Sequence, residues 1–176
     1  MKFGGWMVGA AAIVFAAGCS KAPKPLTDAE RAGLSDSVSE VAAGMLASLS
    51  TPGKATADNY LSYYVRGDAL VHAEYGMIYP TYDSLVKVVR IWWAPGTTFH
   101  GTMDQKRVTV LDRDVVVFAA LLNGAFKDSV GKEMPFHEAW MAVYHRTPDG
   151  WKIAADHEST PPPAPPAPPK PERRTR

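Results

Sequence analysis

The hydrophobic pattern changes period at Pro95-Gly96, and that change constrains the fold more than any other feature of the chain. Before it, apolar residues recur every three or four positions; after it, they alternate. Leu34, Val38, Val41, Met45 and Leu49 are spaced by four, three, four and four, which predicts one apolar face of a long helix over residues 28–50. Thr27 and Glu30 form a capping box at its start, each side chain taking an orphan backbone N–H of the first turn. Thr51-Pro52-Gly53 ends it. A shorter helix is predicted over 55–64, then an extended segment over 69–74 that bends at Tyr75-Gly76. A third helix is predicted over 81–93. Leu85, Val88 and Trp92 line one side of it and Val86, Val89 and Trp93 the next, so most of its surface must be covered.

Beyond Gly96, four long strands are predicted, over 98–110, 115–126, 134–145 and 151–159. Asp112-Arg113-Asp114, residues 128–132 and Pro148-Asp149-Gly150 separate them with turn chemistry. Helices followed by an antiparallel meander imply an α+β fold, with three N-terminal helices packed on one face of a curved, mostly antiparallel sheet.

The ends of the chain read differently. Lys2, an apolar run from Phe3 to Phe15, and Ala16-Ala17-Gly18 before Cys19 have the form of an export signal with a small-residue cleavage site. The run is too short for a spanning helix, which needs about 20 apolar residues. It is similar to the lipobox of bacterial lipoproteins, which implies acylation of Cys19 and anchorage to a lipid bilayer on the exported, periplasmic side; inner or outer membrane stays open. The plainer reading is a secretory signal with a chance cysteine nearby. Cys19 is the only cysteine, so no disulfide can form within the chain, and stability must come from an apolar core. The expected organisation is a signal peptide over 1–18, a tether over 19–26, a single domain over 27–160 and a tail over 161–176. That tail holds eight prolines and reads as a polyproline II rod ending in Arg173, Arg174 and Arg176. Residues 26–160 carry 12 Lys and Arg against 17 Asp and Glu, a mildly acidic domain that argues against nucleic acid as a partner.

The closing hairpin carries a family likeness. Residues 139–146 (Ala-Trp-Met-Ala-Val-Tyr-His-Arg), a Pro-Asp-Gly turn, and Trp151 through Asp156-His157-Glu158-Ser159 resemble the last strands of the SnoaL-like, or nuclear transport factor 2-like, superfamily. The resemblance implies a cystatin-like cone: a curved sheet around the first helix, with a pocket between the two. It implies no single activity, because that fold hosts isomerases, dehydratases, hydrolases, binding domains and assembly domains. Simple alternation puts Trp151, Ile153, Ala155, His157 and Ser159 on one face of the last strand, and Lys152, Ala154, Asp156 and Glu158 on the other.

The cone that the resemblance implies would draw its lining from these strands and from the helices. Tyr63, Trp92, His100, Asn123, His137, Trp140, Arg146 and His157 are the expected ligand contacts, with His157 and His100 the candidate bases if the protein is an enzyme. Glu138 and Asp104 are eligible carboxylate partners for His157, and Arg146 is expected to pair with a carboxylate, structural or ligand-borne. The five histidines have no metal-ligand spacing, so neither a metal nor a cofactor is expected. The first helix lacks the donor Tyr of the steroid isomerase branch. Asp112-Arg113-Asp114 is contiguous in a turn rather than gathered from separate strands, so it does not reproduce the epoxide hydrolase site. The leading expectation is a tethered module binding a small apolar or aromatic ligand. The alternatives are a small acid–base enzyme and a homodimeric interaction module.

Overall fold

A computed structural model describes residues 24–161, and the expected acylation site Cys19 and nearly all of the Pro-rich tail lie outside them. Helix α1 (Asp28–Leu49) opens the domain, capped as expected: the Thr27 hydroxyl accepts from Glu30 N–H at 3.2 Å, and Glu30 accepts from Thr27 N–H at 2.8 Å. The same Glu30 carboxylate binds the Arg113 guanidinium at 2.7 Å, which ties the helix start to a hairpin 83 residues away. Val38, Ala42, Met45 and Leu49 form its buried stripe. Helix α2 (Ala57–Leu61) is shorter than predicted, because beyond its C-cap Ser62 the chain pairs beside the last strand instead. Ile153 N–H donates to the Tyr63 carbonyl at 2.8 Å, and Val65 N–H to the Ile153 carbonyl at 2.9 Å.

Strand β1 (Val71–Glu74) and strand β2 (Met77–Tyr79) form a small hairpin across Tyr75-Gly76, both residues at positive φ. The bend was expected; β2 was not, being three residues long and without alternation of its own. Helix α3 (Tyr82–Trp92) is entered through Thr81, whose side chain accepts from Ser84 N–H. Strands β3 (Thr98–Val110), β4 (Val115–Lys127), β5 (Glu133–Thr147) and β6 (Gly150–Ser159) then form the antiparallel meander. The sheet order is β2-β1-β6-β5-β4-β3, with β1 parallel to β6 and every other pair antiparallel. Among the described residues, no helix is long and apolar enough to cross a membrane.

Two irregularities bend the sheet. One extra residue sits in β3 between Asp104 and Arg107, where Gln105 adopts a φ of 50°. The other is in β6: Val143 pairs with Ala155 and Tyr144 with Ile153, which leaves Ala154 without a partner. An unpaired residue kinks its strand and shifts the alternation beyond it by one. Gly101 and Gly124 face each other across β3 and β4, and a side chain on Gly124 would collide with the His100 carbonyl oxygen. Their bare backbone lets the Phe99 and Phe136 rings stack at 5.6 Å over the gap. The helices cover the concave face, and the core between them centres on Val38, Leu70, Leu85, Val89, Phe118, Tyr144 and Ile153.

Candidate functional site

The apolar packing does not fill the cone. A cavity of about 250 Å³ remains between α1, α3 and the concave sheet face. Its walls are aromatic and aliphatic: Tyr60, Trp92, Trp93 and Met45 from the helical side, and Phe99, Leu122, Phe136 and Trp140 from the strands. Trp93, Phe99 and Phe126 close one end in a mutual cluster with ring centroids 5.1 to 5.5 Å apart.

Three glutamates supply the polar surface. Glu74 on β1, Glu138 on β5 and Glu158 on β6 all line the cavity, and each offers a carboxylate oxygen within 4.8 Å of the other two. Glu74 and Glu158 are register partners on neighbouring strands, where like charges repel. No lysine or arginine lines the cavity. Burial, and after it the charge of Glu74, pushes the Glu138 carboxyl up to about 7. Burial together with Glu138 and Asp156 pushes Glu158 well above the usual carboxylate range. The Tyr75 hydroxyl, at the cavity edge, is pushed up to about 12 by its own burial and then by Glu74. Three oxygen donors this close are the one arrangement among the described residues suited to a hard cation.

Beneath the glutamates lies a closed hydrogen-bond network. His72, with no exposed surface, bonds through Nδ1 to Asp156 at 2.7 Å, and its Nε2 stands 3.5 Å from a Glu74 carboxylate oxygen. Asp156 also accepts from the Tyr64 hydroxyl at 2.8 Å and from the Trp140 indole at 3.4 Å. Tyr64 in turn shares a 2.5 Å hydrogen bond with the Tyr60 hydroxyl. Burial on its own works against a charge on His72. The Asp156 carboxylate that accepts its hydrogen bond, the Glu74 carboxylate 3.5 Å away and the charge of Glu158 outweigh it and raise the imidazole to about 10. His72 is therefore the buried counter-charge of Asp156, and neither of the two lines the cavity.

The structure separates the residues expected to meet a ligand. Trp92 and Trp140 line the cavity. His157 does not: the Ala154 bulge reverses the alternation, so Asp156 and Glu158 turn inward while His157 turns out and bonds the Ala73 carbonyl at 3.2 Å. His100 is exposed on β3, between the inward Phe99 and Gly101. Asn123 and His137 are cross-strand partners on the convex face, bonded to each other, and the Asn123 amide donates to Asp104 at 3.2 Å. Arg146 is exposed; it pairs with Asp114 at 3.5 Å and lies 4.5 Å over the Trp151 ring, the structural role among its two expected ones. Tyr63 packs half-buried outside the cavity and contributes its backbone, while Tyr60 and Tyr64 enter the buried network. Neither candidate base thus reaches the cone, and Asp104, eligible as a partner of His157, binds Asn123 instead.

His72, Glu74 and Glu158 are inward groups beyond those expected from the sequence. The available signal was the alternation His72-Ala73-Glu74, and Glu138 placed between Phe136 and Trp140 on an apolar face.

Comparison with known proteins bears on the fold. Residues 86–162 match the family of the calcium/calmodulin dependent protein kinase II association domain. No curated protein matches the sequence. A candidate association domain of that kinase from Xanthomonas campestris superposes with a TM-score of 0.60 at 18% identity, over 72% of this chain and 87% of the other. A ketosteroid isomerase-like protein from Erwinia carotovora atroseptica gives a TM-score of 0.59 at 17% identity, over 73% and 97%. The association domain of the Caenorhabditis elegans kinase gives 0.55 at 18% identity, over 76% and 100%.

The raised Glu138 carboxyl predicts how stability depends on pH. The folded state keeps a proton that the unfolded chain releases near the ordinary Glu value of 4.5, so stability falls as pH climbs from there through about 7. Melting of the wild type should drop by several degrees between pH 5 and 8, and Glu138→Gln should flatten that slope. An equal slope in both proteins removes Glu138 as its source.

Proposed function

The chain carries a domain of the nuclear transport factor 2-like, cystatin-like fold, and on that premise we propose that it is a binding module holding a small apolar or aromatic molecule in its cone. The observation that carries this reading is the cavity itself. Its volume exceeds the roughly 150 Å³ that accommodates benzene in an apolar protein cavity. Aromatic walls with a few grouped polar atoms are the usual construction of a small-molecule site. The histidine–carboxylate pair that an acid–base enzyme needs is present as His72 and Asp156, but it is sealed below the cavity wall and both its members are held by structural bonds. Ala42→Phe, which fills the cavity from α1, should abolish binding of aromatic probes followed by tryptophan fluorescence, whereas the wild type binds them. Unchanged binding in the filled variant places the ligand elsewhere.

The Ala-Ala-Gly-Cys motif supports a tether: acylation of Cys19 holds the domain at a membrane outside the cytoplasm, on a short linker rich in lysine and proline. Mass spectrometry of the protein from a bacterial membrane fraction should find chains beginning at Cys19 and carrying lipid, and Cys19→Ser should release the protein from the membrane. A full-length, lipid-free chain defeats this part of the reading.

The association-domain match favours a second role, self-association. The convex face offers a surface for it: a shallow depression lined by Ala119, Leu121, Ala139, Met141 and His157, with Met141 48% exposed. Light scattering on the mature protein should give a mass above one chain, and Met141→Glu should return it to one. A wild type that is already monomeric at micromolar concentration rules this role out.

A further inference from the structure

We propose that the molecule bound in the cone is a cation, an amine whose protonated nitrogen sits among Glu74, Glu138 and Glu158 while its aromatic or aliphatic body lies against the tryptophans. This rests on the binding reading above and names the chemical class of its ligand.

The charge balance is the first argument. His72 is the one basic group bonded into this region, and its charge is matched by Asp156 at 2.7 Å. Glu74 shares the His72 charge at 3.5 Å, while Glu138 and Glu158 are left without a counter-charge of their own, in a cavity with no lysine or arginine in its wall. Buried carboxylates are tolerated only when paired or protonated, and here Glu138 and Glu158 are driven to hold protons. An ammonium group would supply the same positive charge with three N–H donors, one for each carboxylate.

A second, independent observation points into the same place. One Glu74 carboxylate oxygen is buried without a hydrogen-bond partner, since the His72 Nε2 at 3.5 Å stands too far to bond it, and its residue, 7% exposed, lines the cavity. A native structure rarely leaves such an acceptor unused, since the cost of an unmade buried bond is about 1–3 kcal/mol. A donor arriving from the cavity satisfies it.

The walls then choose between kinds of cation. A divalent metal takes six or more oxygen ligands or retains much of its water. The glutamates offer three carboxylates, and the wall beyond them is aromatic, with Tyr60, Trp92 and Trp140 among its rings, or aliphatic. Those walls suit an organic cation, which is weakly hydrated on its carbon side and gains from indole and phenol ring faces. The titratable groups surrounding the nitrogen position are His72 and Glu74 from β1, Tyr75 from the turn, Tyr60 from α2, Glu138 from β5, and Asp156 and Glu158 from β6.

Matched probes test this on the mature protein: benzyl, naphthylmethyl and indolylethyl amines, each against the alcohol of the same skeleton, titrated by calorimetry at pH 8. The amine of at least one pair should bind tenfold or more tighter than its alcohol. The double substitution Glu138→Gln, Glu158→Gln should erase that preference while leaving the alcohol's affinity within a few-fold. Removing repelling acids does not threaten folding, and an unchanged circular dichroism spectrum verifies it. Amines and alcohols that bind equally overturn the cation inference but leave the cone a binding site. Probes that all fail to bind overturn the binding reading itself and the inference with it. Calcium that binds alone and displaces the amine assigns the glutamates to a metal instead.

Discussion

Ala154 has no partner in the neighbouring strand, and the interior chemistry of the domain depends on that single irregularity. Up to Ile153 the last strand points Trp151 and Ile153 into the core; beyond the bulge it points Asp156 and Glu158 there. The same bulge follows the point where the chain after α2 pairs with Ile153, which brings Tyr64 within 2.8 Å of Asp156. Parallel pairing of β1 then sets His72 against Asp156 and Glu74 against Glu158. A strand without the extra residue would present His157 and Ser159 to the cone and leave the acids outside.

Two different solutions to buried charge lie side by side as a result. Asp156 is satisfied by an imidazolium, a phenol and an indole, a fully bonded arrangement of the kind that tolerates a low dielectric. Glu138 and Glu158, a few ångströms away, have no such set of partners and are accommodated by protonation, while Glu74 stands 3.5 Å from the imidazole. The first arrangement is structural and keeps β1, β6 and α2 in register. The second leaves polar capacity facing a cavity, which is where a fold can place function without disturbing its core.

The hollow itself also has a cause. Gly101 and Gly124 remove two side chains from the concave face where β3 and β4 bend, and Phe99 and Phe136 stack across the gap rather than sinking into the cone. The mutually packed rings of Trp93, Phe99 and Phe126 close that end of the cavity. On α1, Ala42 lines the cavity beside Met45, Leu46 and Leu49, and its small side chain leaves space there.

Element order, the helix caps and four of the six strands could be read from local pattern, because a capping box at Thr27, Pro-Gly stops and alternating apolar residues express backbone preferences that act within a few positions. The family likeness of the closing hairpin pointed to the cone for the same reason: its strands and turn are contiguous. Strand β2 and the parallel placement of β1 were hidden, since both are decided by partners more than 80 residues away in the chain or by a three-residue hairpin with no pattern. The site was less legible than the fold. Trp92 and Trp140 could be placed near the cone by alternation and helical spacing, but His157, His100, Asn123, His137 and Arg146 lie on the outer surface. Side-chain direction along a strand is a parity, and one bulge inverts it for every later residue. Local chemistry therefore settled what the segments are, while long-range pairing alone settled which of their side chains face inward.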